Sequence, residues 1–206
     1  MVVADSECIR DYLVNRYKVA TEYISYGADI FTSPNPLELV RFNLQPQSFF
    51  LLIARMQSDN NIEEIIKGVL HSDSDFPLLI IGDVTGNYGR YLEQAYSSER
   101  IRFLGPIFDK ETLDQLRYHS RLYFHGHSSG GTNPSLLEAM AASATICAHD
   151  NPFSREVLGS NAFYFSHNMQ VAETIKNLPE QNIAEKFVQN NIDRIKSAYA
   201  LSLIHI

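Results

Sequence analysis

Short apolar runs alternate with amphipathic stretches along most of the chain. F-F-L-L-I-A at residues 49–54, residues 77–81 and A-T-I-C-A at residues 144–148 are almost continuously apolar. Strands buried on both faces of a parallel sheet have this pattern. Between the first two, Ile62, Ile65, Ile66 and Val69 fall on one face of a helix over residues 61–70. Further helices are expected at residues 88–97, from an Asp109 cap through Arg117, at 154–158, 171–177 and 182–200. Shorter strands are expected at 101–104, 122–124 and 161–165. Regular strand–helix alternation requires right-handed crossovers, which gives an α/β, doubly wound parallel sheet over residues 48–200. The loops at 55–60, 82–89, 105–108 and 125–133 then share the carboxyl edge, where such folds bind ligands.

The first 47 residues have a different texture. Val2, Val3 and Ala4 end a strand, Ser6 caps a helix carrying Ile9, Tyr12, Leu13 and Tyr17, and T-E-Y-I-S-Y at residues 21–26 forms a second strand. This strand–helix–strand piece, residues 1–30, is too short to bury itself. Residues 31–47 contain three prolines and no clear period, so they read as a linker.

Chemistry concentrates in H-G-H-S-S-G-G-T-N-P-S-L-L-E-A-M-A-A, residues 125–142. A strand ends at Phe124, a loop carries three glycines, and Pro134 opens a helix with Leu136, Leu137 and Met140 at helical spacing. Proline at the first helical position needs no backbone donor, and Asn133 or Thr132 can cap the turn. Exposed N–H groups there, together with the helix dipole, can hold an anion. Gly130 and Gly131 would let a ligand reach the backbone. Glu138, one turn further in, could accept hydrogen bonds from ligand hydroxyls. A ligand-free strand-to-helix turn fits the same spacing, because neither G-x-G-x-x-G nor a P-loop pattern is present.

The loop and its surroundings resemble the donor site of glycosyltransferase family 4, the two-domain GT-B enzymes, and most of all the bacterial rhamnosyltransferase branch. That family carries two glutamates separated by seven residues, the second in an L-E-A-M-A helix. Glu138 matches the second, which implies a ribose contact; Gly130 stands at the first, so the sugar contact passes to His127 or Asn133. I-A-R-M-Q-S-D-N-N-I resembles the segment in which an Arg and a Lys clamp the donor pyrophosphate. Arg55 matches the Arg, Asn60 replaces the Lys and Ala54 a Gly. A surface ion pair of Arg55 with Asp59 or Glu63 is the alternative, and the position after a central strand favours the ligand role. I-R-F-L-G-P-I-F-D-K-E-T-L resembles the base-binding segment, with Gly105, Pro106, Ile107 and Phe108 contacting the base; a plain turn is the alternative. P-F-S-R-E-V-L-G resembles a family turn in which Glu156 caps or pairs rather than reacts.

The resemblance therefore implies a Rossmann-like C-terminal half of a GT-B fold preceded by a remnant of the N-terminal domain. Arg55 and Glu138 carry the chemistry; Gly105, Pro106, Ile107, His127, Gly130, Gly131, Thr132, Asn133 and Leu137 bind the donor. The donor is a nucleoside-diphosphate sugar, used without a cofactor or metal. The acceptor is a glycan or lipid-linked hydroxyl, and retention of the anomeric centre, with rhamnose as the sugar, is implied for polysaccharide synthesis. The missing N-terminal domain is an expected partner. The piece alone is expected to bind a nucleoside diphosphate and transfer little or no sugar. Two rivals share the pattern: a degenerate, non-catalytic binding or regulatory module, and a sugar-nucleotide epimerase of the same fold.

Composition narrows the partners. The net charge of −7 over 206 residues argues against a dedicated nucleic-acid surface. No apolar run reaches the roughly 18 residues of a membrane span, and Asp5 and Glu7 follow too closely on residue 1 for a signal peptide. The expected location is cytoplasmic, with peripheral association at the inner face of the membrane for the full-length protein. Cys8 and Cys147 lie far apart without metal-ligand spacing and read as reduced thiols. L-S-L-I-H-I, residues 201–206, matches nothing before it and reads as a non-native tail, or otherwise as an apolar dimer contact.

Overall fold

The computed structural model describes residues 2–178 and 181–201; of the tail at 201–206, all but Leu201 lies outside the described residues. The described residues form two sheets. The smaller pairs β1 (Val2–Ala4) with β2 (Thr21–Tyr23) in parallel, joined by α1 (Glu7–Tyr17). The larger contains β3 (Phe50–Ile53), β4 (Leu78–Ile81), β5 (Ile101–Gly105), β6 (Leu122–His125), β7 (Ile146–His149) and β8 (Phe163–Phe165), all parallel, in the order β5-β4-β3-β6-β7-β8.

The crossover helices are α2 (Ile62–His71), α3 (Asn87–Tyr96), α4 (Lys110–His119), α5 (Pro134–Ala141) and α6 (Pro152–Leu158). After β8 come α7 (Asn168–Lys176) and α8 (Gln181–Arg194), the last continued by a wider turn over Ile195–Tyr199. The α/β doubly wound sheet read from the sequence is the observed architecture.

Period-two alternation divides the apolar residues between two cores. Phe50, Leu52, Leu78, Ile80 and Phe124 meet α2 and α7 on one face; Leu51, Leu79, Tyr123, Leu137 and Met140 pack on the other. Helices cover both faces, so the strands can be apolar throughout. Strand order reverses between β3 and β6, and their carboxyl ends diverge there to leave a crevice.

Residues 31–47 are more ordered than their prolines imply. Asn35 caps a 3-10 turn over Pro36–Phe42, whose Leu39 is fully buried. Gln115 of α4 brackets the approach, accepting from Asn35 N at 2.8 Å and donating to Ser33 O at 2.9 Å. The small unit contrasts with the large one. Ser6 caps α1 by accepting from Ile9 N, yet α1 buries no residue, and Tyr12 and Tyr17 stand exposed. Cys8, Ile9 and Leu13 are half-buried, so the described chain covers its apolar face only in part.

Candidate functional site

The crevice at the switch point is a cleft of about 950 Å³, in the range of small-molecule sites. Its first wall is the turn after β3. Arg55 leaves the strand end exposed, and its guanidinium makes no hydrogen bond or ion pair with any described residue. The alternative partner Glu63 is engaged elsewhere, by Lys67 at 3.1 Å and by the hydroxyls of Tyr91 and Tyr96.

Asn60 is no phosphate ligand in this arrangement. It is buried, its Nδ2 donates to Arg55 O at 2.8 Å, and its Oδ1 lies 3.0 Å from His127 Nδ1. Because the amide nitrogen already donates, Oδ1 is the acceptor, and His127 carries its proton on Nδ1. Nε2 of His127 is thereby left with a lone pair. Burial, then the nearby Arg55 charge, push the His127 pKa down against the pull of Asp59, so the ring is neutral near pH 7.

The loop after β6 is fastened to this turn for half its length. Ser128 donates to Asp59 O through both N (2.9 Å) and Oγ (2.8 Å), Asn61 Nδ2 donates to Gly126 O at 2.7 Å, and Asn151 Nδ2 to His127 O at 2.9 Å. Gly126 is required for this approach, since a Cβ there would sit 1.9 Å from Asn60 O. The second half is different. The backbone N–H groups of residues 129–133 donate to no described residue. Asn133 Oδ1 caps α5 through Ser135 N at 2.9 Å, so the loop feeds a helix N-terminus. Asp5, at the end of β1, lies over Gly131: a Cβ on that glycine would come within 1.7 Å of its Oδ1.

The opposite wall comes from α4 and α5. Glu138 lines the cleft with its side chain about one-third exposed, and its Oε2 accepts from Arg117 Nη2 at 2.5 Å. Arg117 is sealed from solvent and also donates to Asp114 Oδ1 at 2.9 Å. Pro106, Ile107 and the 90 % exposed Phe108 form the remaining rim. Asp83 also lines the cleft, but its Oδ1 accepts from Thr85 N at 2.9 Å as a turn brace.

Of the residues singled out from sequence, Arg55, Pro106, Ile107, His127, Asn133 and Glu138 thus meet around one cleft. Gly105, Gly130, Gly131, Thr132 and Leu137 do not line it. Gly105 closes β5 with φ of 71°, and Gly130 has φ of 108° beside the His127 ring. Thr132 is buried with an unpartnered Oγ1, and Leu137 is fully buried in the core. Glu156 caps α1: Glu7 N and Cys8 N donate to its carboxylate at 2.6 and 3.1 Å, while Arg155 pairs with Asp150. Sequence reasoning missed Arg117. The available signal was Asp114 three residues and Leu113 four residues before it on one helix face.

Among the described residues no group of three His, Cys, Asp or Glu side chains could hold a metal, and no helix is long and apolar enough to cross a membrane. An exposed arginine, unbonded amides and a helix N-terminus suit an anion, and Glu138 suits neighbouring hydroxyls.

Comparison with known proteins bears on the family and the fold. Residues 40–194 match the family model described as Glycosyl transferases group 1. Over 210 aligned residues the chain is 26% identical to the alpha-monoglucosyldiacylglycerol synthase of Streptococcus pneumoniae (strain ATCC BAA-255 / R6), covering 88% of this chain and 46% of that protein. The crystal structure of a glycosyltransferase from Rickettsia africae ESF-5 superposes with a TM-score of 0.84 at 17% identity, over 98% of this chain and 60% of that one. Anabaena Alr3699/HepE in complex with UDP and glucose gives 0.85 at 17% identity, over 99% and 60%. The chain spans about half the length of the curated relative it matches.

Proposed function

This chain belongs to the glycosyl transferases group 1 family, and from that premise we propose that its cleft binds a nucleoside-diphosphate sugar and that the whole protein transfers the sugar to an acceptor hydroxyl. One observation carries the reading. At the point where the strand order reverses, an unpartnered Arg55 ends β3, and the α5 N-terminus opens on the same cleft at Asn133, Pro134 and Ser135, preceded by a loop whose amides at residues 129–133 are unbonded. A diphosphate would supply the missing counter-charge. Arg55 grips its oxygens through its planar fork, and the amides with the α5 dipole stabilise the charge that grows as the sugar leaves. Glu138 accepts from the ribose hydroxyls, and Pro106, Ile107 and Phe108 border the base. His127 presents a neutral Nε2 to a sugar hydroxyl, in place of the carboxylate absent at Gly130.

UDP is the nucleotide named with the Anabaena structure, so UDP-glucose is the first donor to test. The sequence resemblance to the rhamnosyltransferase branch makes a nucleoside-diphosphate rhamnose the second. The diacylglycerol in the pneumococcal relative's name supports a lipid acceptor at the inner face of the membrane; a growing glycan is the other arm. We assign residues 1–30 to the end of an N-terminal domain and 31–47 to the segment joining it to the donor domain. Calorimetry with UDP, dTDP and GDP tests the proposal. Binding of at least one is expected, and a folded chain that binds none would overturn it.

A second reading, a binding module without turnover, is favoured by Asn60, which braces the loop and adds no second cation. Transfer by the full-length protein, lost in Glu138→Gln and Arg55→Ala, would exclude it.

A further inference from the structure

We propose that Arg117 is a positioning residue that aims Glu138 at a vicinal diol and so makes the cleft prefer ribonucleotide over 2′-deoxyribonucleotide donors. The inference rests on the donor-site reading above and extends it to a residue outside the family motif. Arg117 is among the largest fully buried side chains of the molecule. Its compensation is local: Nη1 donates to Asp114 Oδ1 at 2.9 Å and Nη2 to Glu138 Oε2 at 2.5 Å, with Ser135 Oγ at 3.5 Å from the same nitrogen. Lys110 Nζ holds the other oxygen of Asp114 at 2.5 Å, and Tyr123 OH braces Ser135 Oγ at 2.9 Å. Arg117 Nε–H remains buried with no partner.

Burying a guanidinium with one donor unsatisfied is a poor way to gain stability, because well-packed apolar residues commonly do as well or better. What the arrangement provides is direction. Two carboxylates, Asp114 and Glu138, are bridged by one rigid fork, which lysine cannot reproduce. Glu138 is therefore held by one oxygen only. Its Oε1 makes no hydrogen bond with a described residue, and the side chain faces the cleft. An oxygen fixed in this way has both lone pairs free and can accept from two adjacent hydroxyls at once. Loss of one hydroxyl then costs the ligand a charge-assisted bond.

The test is the ratio of dissociation constants for dUDP and UDP, measured by calorimetry on the whole chain, with folding checked by circular dichroism. Wild type is expected to favour UDP roughly tenfold, as one charge-assisted bond allows. Arg117→Met is expected to bring the ratio to within about twofold by weakening UDP alone, with Arg117→Lys intermediate. Asp114→Asn, which releases one arm of the fork, lowers the ratio as well and serves if Arg117→Met does not fold. A purely structural role would weaken both nucleotides in parallel and keep the ratio, which would overturn the inference. Equal binding of both by wild type would also overturn it. Failure of wild type to bind either nucleotide would instead defeat the donor-site reading itself.

Discussion

On the β3 side of the cleft, Arg55 is exposed and bonded to no described residue, and the amides of residues 129–133 are likewise unused. On the α5 side, Arg117 is sealed from water between two carboxylates, and the accepting oxygen of Glu138 is fixed by it. Both walls place a cation beside the cleft, but only the first leaves its charge for a ligand to satisfy. The second satisfies its own charges and offers a direction. Removing a cation should therefore cost binding with little loss of stability on one side, and folding together with the ribose preference on the other.

Breaking the α5 side gives the largest effect. Arg117→Met leaves the buried Asp114 with Lys110 as its one remaining cation and unpairs Glu138 at the cleft wall, and urea denaturation should show about 3 kcal/mol of lost stability, the low end for breaking a buried pair. The mirror test on the β3 side is Arg55→Ala. Stability should change by no more than about 0.5 kcal/mol, while calorimetry shows nucleoside-diphosphate affinity falling by about 10- to 100-fold, the worth of one or two charge-assisted bonds. Equal destabilisation by both substitutions would erase the contrast.

Acid should sharpen the distinction between paired and merely buried groups. Burial first, then the neighbouring His127 and His149, push the His125 pKa down to about 3. Its folded value lies below its unfolded one, so the unfolded chain binds the extra proton. Stability from this group is complete above about pH 6.5 and falls as pH drops towards the folded value, by about 2 kcal/mol at pH 5. His127 and His149, also lowered chiefly by burial, act in the same direction. His125→Leu should flatten the slope of denaturation midpoint against pH. The smallest effect lies furthest from the cleft: Glu156→Gln weakens the α1 cap by about 1 kcal/mol, visible as local amide exchange over residues 7–10.

The sheet was legible because each strand carries its own signal. F-F-L-L-I-A and A-T-I-C-A read as doubly covered strands wherever they sit, and Ser6, Asp109 and Asn133 are caps whose partners lie two or three residues on. The switch point followed from connection rules alone. Less of the site could be read, because its contacts are long-range. Asn60 stands where a cation is expected, yet its partner His127 is 67 residues away. Arg117 is a charged helix residue, a class usually met on surfaces, and only the fold brings Glu138, 21 residues on, against it. The exposed face of α1 shows the converse: amphipathic spacing specifies a face to cover but not what covers it. In residues 31–47 the prolines hid the 3-10 turn, because Pro36 at its first position is compatible with helical backbone.

The central claim is that a diphosphate docks on the amides that follow β6. Amide-resolved NMR titration of the chain with UDP tests it most directly. The account predicts saturable shifts at residues 129–133 and in the Arg55 side-chain N–H signals, with the Arg117 signals little moved because its partners stay in place. Saturation that leaves residues 129–133 and Arg55 unmoved, or shifts confined to another surface, would contradict it.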